Sequence, residues 1–197
     1  DPFAQGFTQP MTLLTLDPRL GLPYAQDWNL NLQRSIGNNW LFEIGYVGTK
    51  GTKLPRFIEA NPAVFIPGET TANNSDQRRL YSGCTVAQPS PCTYSSVGEI
   101  SGIANSTYHA LQTSLQRRFA HQFSMLASYT LSKTLDDVSS LNITGSASQS
   151  TAGENDLAQN PFDLPAEHGR SMFDARHRLV ISYQWDLPFF NQSQSWP

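Results

Sequence analysis

The stretch DLPAEHGRSMFDARH holds the densest set of side chains able to do chemistry: Asp163, Glu167, His168, Asp174 and His177. Carboxylates beside imidazoles can divide acid and base work, and the same groups can ligate a metal. Their spacings match no known ligand motif, and Arg170, Arg176 and Arg178 stand among them. The preferred reading is a loop whose arginines pair with its acids, because surface charges usually do no chemistry. NDLAQNPFD has the composition of a calcium loop but lacks the alternating acids of an EF-hand. The chain holds no Gly-x-Ser-x-Gly, P-loop, His-Glu-x-x-His or dinucleotide fingerprint. No catalytic residue, metal site or cofactor is therefore expected, and the protein does not read as an enzyme.

Cys84 and Cys92 stand eight positions apart in SGCTVAQPSPCTY, with Pro89 and Pro91 restricting the chain between them. A disulfide closing a small surface loop is the favoured reading in an oxidising compartment. The competing reading, a metal pair, lacks a nearby His. Asn73, Asn105, Asn142 and Asn191 begin glycosylation sequons, which matter only in a eukaryotic secretory context.

Five runs keep a period of two, the mark of strands with two unlike faces. In 27–34, DWNLNLQR, Trp28, Leu30 and Leu32 oppose Asp27, Asn29, Asn31 and Gln33. In 40–47, Trp40, Phe42, Ile44 and Tyr46 oppose Leu41, Glu43, Gly45 and Val47. In 108–118, Leu111, Thr113 and Leu115 oppose Gln112, Ser114 and Gln116. In 123–133, Met125, Ala127, Tyr129 and Leu131 oppose Leu126, Ser128, Thr130 and Ser132, after which Asp136 and Asp137 break the pattern. In 178–186, Leu179, Ile181, Tyr183 and Trp185 oppose Arg178, Val180, Ser182, Gln184 and Asp186. Each run has about the length of a membrane-crossing strand, roughly 9–11 residues.

The connections alternate. SIGNN and FAHQ are short, whereas 48–107 and 134–177 are long. That is the rhythm of an outer-membrane barrel with short periplasmic turns and long extracellular loops. The long connections have loop composition: 57–83 is dense in Pro, Asn, Gly and Ser, 141–159 is nearly without apolar bulk and expected to be mobile, and 164–175 reads as a short turn or helix. In this arrangement Trp40, Phe123 and Trp185 fall near the short-turn end and Trp28, Tyr46 and Tyr129 near the other. Girdles at both edges of a lipid-facing band predict such placement, although aromatics favour strands in any setting.

Composition agrees. Mean hydropathy is −0.39 and charged residues make up 15% of the 197. No run approaches the roughly 20 apolar residues of a membrane helix, but barrel strands spend only alternate residues on lipid. The net charge of −3 argues against a nucleic-acid partner. The chain opens on DPFAQGF without an initiator Met or signal peptide and ends on NQSQSWP, and it reads as a piece of a longer protein.

Several stretches resemble the C-terminal barrel of TonB-dependent outer-membrane receptors, closest to the Oar-like group with a carboxypeptidase-regulatory-like domain. They are DWNLNLQR, NWLFEIGYVGTKGTKLP, NSTYHALQTSLQRRFAHQFSMLASYTLSKTLDD and LPAEHGRSMFDARHRLVISYQWDLPF, in which His168 stands where the resemblance leads one to expect Arg. The resemblance covers most of 24–189. It implies an all-β fold: an antiparallel meander of about five strands, part of a large plugged barrel of about 22 strands, with no plug domain or TonB box in this chain. It implies a bacterial outer-membrane location with the long loops extracellular, ligand import in the intact protein, and the TonB energy-coupling system as partner. Leu111, Leu115, Met125, Tyr129, Leu179, Ile181 and Tyr183 would face membrane lipid. Five strands leave unpaired edges, so pairing with further strands or self-association is expected. Two alternatives stand beside this reading: a surface-structural or adhesion barrel, and a soluble β-sandwich binding module.

Overall fold

The structure is a computed structural model that describes residues 8–89, 91–120, 122–139 and 157–187. Among the described residues it is all-β, with seven strands: β1 (Met11–Leu16), β2 (Tyr24–Ile36), β3 (Trp40–Glu59), β4 (Tyr94–Ala120), β5 (Phe123–Asp136), β6 (Gly169–Arg170) and β7 (His177–Trp185). The described helices are three short 3-10 turns: Ala72–Asn74, Asp76–Arg78 and Leu164–Glu167. The sheet order is β2-β3-β4-β5, with β7 and the short β6 both pairing β5. The five periodic runs thus fall in β2, β3, β4, β5 and β7, adjacent in chain order as expected. Positive φ at Gly37 and Gln122 reverses the chain at the two short turns, which glycine adopts without steric cost.

Two features depart from the sequence reading. First, β3 holds 20 residues and β4 holds 27, so the connection expected over 48–107 shrinks to 60–93. Apolar alternation stops at Val47 and resumes only at about 108, yet the pairing continues, because backbone hydrogen bonds need no apolar side chains. Second, β1 was not anticipated. It pairs β4 in parallel, Leu13 opposite Val97 and Leu16 opposite Ile100, and so departs from a purely antiparallel meander. β4 carries β3 on its other edge there, through Ala60 N to Val97 O at 2.8 Å.

Contacts divide the chain into two compact units. The first comprises 1–24, 52–105 and 136–169. Its interior centres on Phe57, Ala104, Asn61, Ser82 and Ser101, all buried. The Phe57 ring lies across Gly98, where a methyl group would stand 2.3 Å from it. Asp17 fastens the end of β1, accepting from the Arg19 amide at 2.8 Å and the Ser101 hydroxyl at 2.9 Å. A disulfide joins Cys84 to Cys92, with Cα atoms 4.8 Å apart. In the long loop over 134–177, residues 141–156 lie outside the described residues, and so do Asn142 and Asn191.

The second unit comprises 25–51, 106–135 and 170–197. β5 and β7 pair antiparallel with Phe123 opposite Trp185, Met125 opposite Tyr183, Ala127 opposite Ile181 and Tyr129 opposite Leu179. Asp27 opposes Thr49, whose hydroxyl donates to it at 2.6 Å. The Trp28 indole lies over Gly48, where a methyl group would come within 2.3 Å of the ring. Every residue of β2 and of β7 is exposed.

Candidate functional site

The two-residue period sorts the second unit into two faces. The antiparallel register sets Met125, Tyr129, Leu179, Ile181 and Tyr183 on one of them. Arg117 joins β4 to the same face, because its guanidinium lies 5.5 Å from the Trp40 ring centroid and 5.2 Å from that of Phe123. Leu111 and Leu115, at even spacing from Arg117, follow it. All seven residues expected on the apolar face are therefore brought together. They lie on a broad open surface: Ile181 is 56% exposed and Tyr183 71%.

Aromatic residues mark both ends of this surface. At the short-turn end stand Trp40, Phe123 and Trp185, with Arg117 between the first two. Six residues further along β3 and β5, about 20 Å of strand, stand Tyr46 and Tyr129. Each meets a histidine of the neighbouring strand. Tyr46 Oη lies 2.8 Å from His109 Nδ1, and Tyr129 Oη lies 2.8 Å from His177 Nδ1, both with stacked rings. Trp28 packs against His109 as well, with centroids 6.0 Å apart. These Tyr–His pairs were missed from sequence, since their members are 63 and 48 positions apart. His177 thus belongs to this pair and not to the acidic cluster beside which it stands in sequence.

The opposite face is polar. Asn31 Nδ2 donates to Glu43 Oε1. Asn29, Asn31, Glu43, Gln112, Ser128 and Thr130 help to line a concavity of about 550 Å³. Gly45 deepens it, for a methyl group there would stand 3.0 Å from Asn31 Oδ1.

The residues of DLPAEHGRSMFDARH disperse to separate partners. Glu167 accepts from the Gln159 amide at 2.8 Å. Asp174 accepts from the Thr134 amide at 2.7 Å and pairs with Arg170 at 3.5 Å. His168 Nδ1 donates to Asp137 Oδ1 at 2.7 Å. The expected pairing of acids with arginines thus reduces to Arg170–Asp174. Arg176 and Arg178 form no ion pair among the described residues. No group of acids, histidines or cysteines among the described residues could hold a metal ion. Burial pushes the Asp137 carboxyl up, but hydrogen bonds from His168 and from Asn105 (amide, 2.7 Å) pull it further down, to a net value below 3.8. Asp136 and Asp137, which end the alternation of β5, are both hydrogen-bonded: Ser139 donates to Asp136 at 3.0 Å.

In the first unit, residues 60–93 are built around two consecutive arginines. Arg79 bridges Glu59 at 3.2 Å and Asp76 at 3.0 Å, and it donates to the Asn61 carbonyl at 2.7 Å. Asn61, 0% exposed, donates to Ser95 O at 2.8 Å and accepts from the Tyr81 amide at 2.7 Å. Arg78 donates to Asn74 Oδ1 at 2.8 Å, to Thr71 O at 3.1 Å and to Val64 O. Nothing in the local pattern foretold this network, because its acceptors are mostly backbone carbonyls and carboxylates brought in from other segments.

An antiparallel sheet with an apolar, aromatic-bordered outer face, a polar opposite face and two fully exposed edge strands defines a membrane β-barrel segment. The sequence matches the family profile described as outer membrane beta barrel domain over residues 2–196, and the chain belongs to that family. This sets aside the soluble β-sandwich, in which the apolar faces would meet each other. Comparisons with curated proteins and with solved structures returned no match.

Proposed function

We propose that this chain is a segment of a TonB-dependent, Oar-like outer-membrane receptor, with its apolar face in lipid, its short turns periplasmic and its long connections extracellular. In the intact protein it would serve ligand capture and energy-coupled import. The observation that carries the reading is the pairing of unlike faces with strand length. β3 and β4 hold 20 and 27 residues, against the roughly 9–11 that cross a bilayer, so much of each is left over to build a ligand-facing surface. The family match supports the barrel, and the quoted sequence resemblance supports the receptor type.

Two measurements test it. A spin label on Ile181→Cys in outer-membrane vesicles should report lipid, and one on Ser182→Cys should report water. The periplasmic domain of TonB should bind the intact protein through a segment upstream of the barrel. Lipid exposure without TonB binding would favour the surface-structural reading, for which the disulfide-closed and ion-paired 60–93 connection offers a rigid display surface.

A further inference from the structure

The short-turn end of the apolar face carries two arginines that have no carboxylate partner among the described residues. Arg117 stands between the rings of Trp40 and Phe123, and its Nε is buried without a hydrogen-bond acceptor. Arg34 shares the parity of Trp28, Leu30 and Leu32 in β2, which places it on the same face. Continued towards the turn, the register of Asp27 with Thr49 and of Trp28 with Gly48 sets Arg34 opposite Phe42, one step from Trp40. Across neighbouring strands the belt thus reads Arg34, Trp40, Arg117, Phe123, Trp185. Neither arginine makes an ion pair among the described residues. The carboxylates nearest Arg34 in sequence lie on the opposite parity and are engaged: Asp27 accepts from Thr49 and Glu43 from Asn31.

A guanidinium held over ring faces keeps its edge N–H groups for an acceptor, and a phosphate matches that fork bidentately. Long cationic side chains at the rim of an apolar band reach for the headgroup level, where indole rings also settle. We infer that Arg117 and Arg34, flanked by Trp40, Phe123 and Trp185, form a binding site for the phosphodiester of a glycerophospholipid headgroup in the membrane leaflet at the short-turn end. The site rests on the membrane reading above.

Native mass spectrometry of the protein purified from the outer membrane in detergent tests it, with phosphatidylglycerol as the probe. Bound phosphatidylglycerol should persist in the wild type. Arg117→Gln and Arg34→Gln should each weaken it by about fivefold, the effect of one interfacial charge, and Arg117→Lys should retain part of the binding. Arg34 lies on an exposed strand and touches no described acceptor, so its variant remains informative if Arg117→Gln misfolds. Equal retention by the Gln variants overturns the inference. So does equal retention of diacylglycerol, which lacks the phosphate, or displacement by inorganic phosphate, which would make this a free-anion site. The label at residue 181 separates the two levels: water there sinks the membrane reading, whereas lipid there with unchanged phospholipid retention sinks only this site.

Discussion

Single side chains on the two faces of β7 test which face meets lipid. Ile181 lies opposite Ala127 in the middle of the apolar face, and Ser182 opposite Leu126 on the other. Lysine at 181 in a membrane-inserted barrel should cost about 2–4 kcal/mol near the midplane, and lysine at 182 little. A refolding titration into lipid vesicles gives both values, and equal costs would contradict the assignment of faces. Asp137 makes a different prediction. Its folded pKa lies below 3.8, so the ionised carboxylate stabilises the fold above that pH, and the contribution is lost as pH falls through the lowered value. The Asn105 amide, which donates to it, should lose hydrogen-exchange protection relative to its intrinsic rate as pH falls through that lowered value. Constant protection would show that the contact does not hold the loop.

Pairs of elements are joined by glycines that lie under aromatic rings. Gly48 of β3 sits beneath Trp28 of β2, and Gly98 of β4 beneath Phe57 of β3. An alanine at 48 must push the indole aside, for its methyl would stand 2.3 Å from the ring. Gly48→Ala is expected to cost about 1–3 kcal/mol, as overpacking does, and to shift the fluorescence of Trp28 towards a wetter environment. An unchanged emission spectrum and midpoint would mean that the ring does not rest there. The Cys84–Cys92 bridge constrains the unfolded chain by about 2–3 kcal/mol for a loop of this size. Reduction, or Cys84→Ser with Cys92→Ser, should therefore speed proteolytic cleavage within 60–93. The strand pairing of Ser124–Leu131 with His177–Gln184 should survive, and loss of both together would show that the loop organises the sheet.

For the molecule as a whole, the exposed edge strands β2 and β7 and the open apolar face state a requirement. Unpaired backbone groups and a broad apolar surface are poorly tolerated in water. The 197-residue chain in detergent-free buffer should elute as aggregate or higher oligomer in size-exclusion chromatography. A stable monomer would show that the apolar face and the two edges are covered within the chain itself.

The sequence by itself determined five of the strands, their order and their two faces. Alternation is local, and chain geometry converts it directly into sidedness. It also brought Cys84 and Cys92 forward as a pair and placed the short turns in SIGNN and FAHQ. It did not determine where β3 and β4 end, because beyond Val47 the strands continue without the apolar side chains that make a strand legible. It did not show β1, whose parallel pairing depends on the edge of β4 that Tyr94–Ile100 leaves open. Nor did it disclose the Tyr46–His109 and Tyr129–His177 pairs, the Arg79–Glu59–Asp76 network or the placement of Arg117 between two rings. Those depend on strand register and on loop return, which bring together residues far apart in the chain. Only the tertiary structure fixes which of many possible distant neighbours each side chain meets.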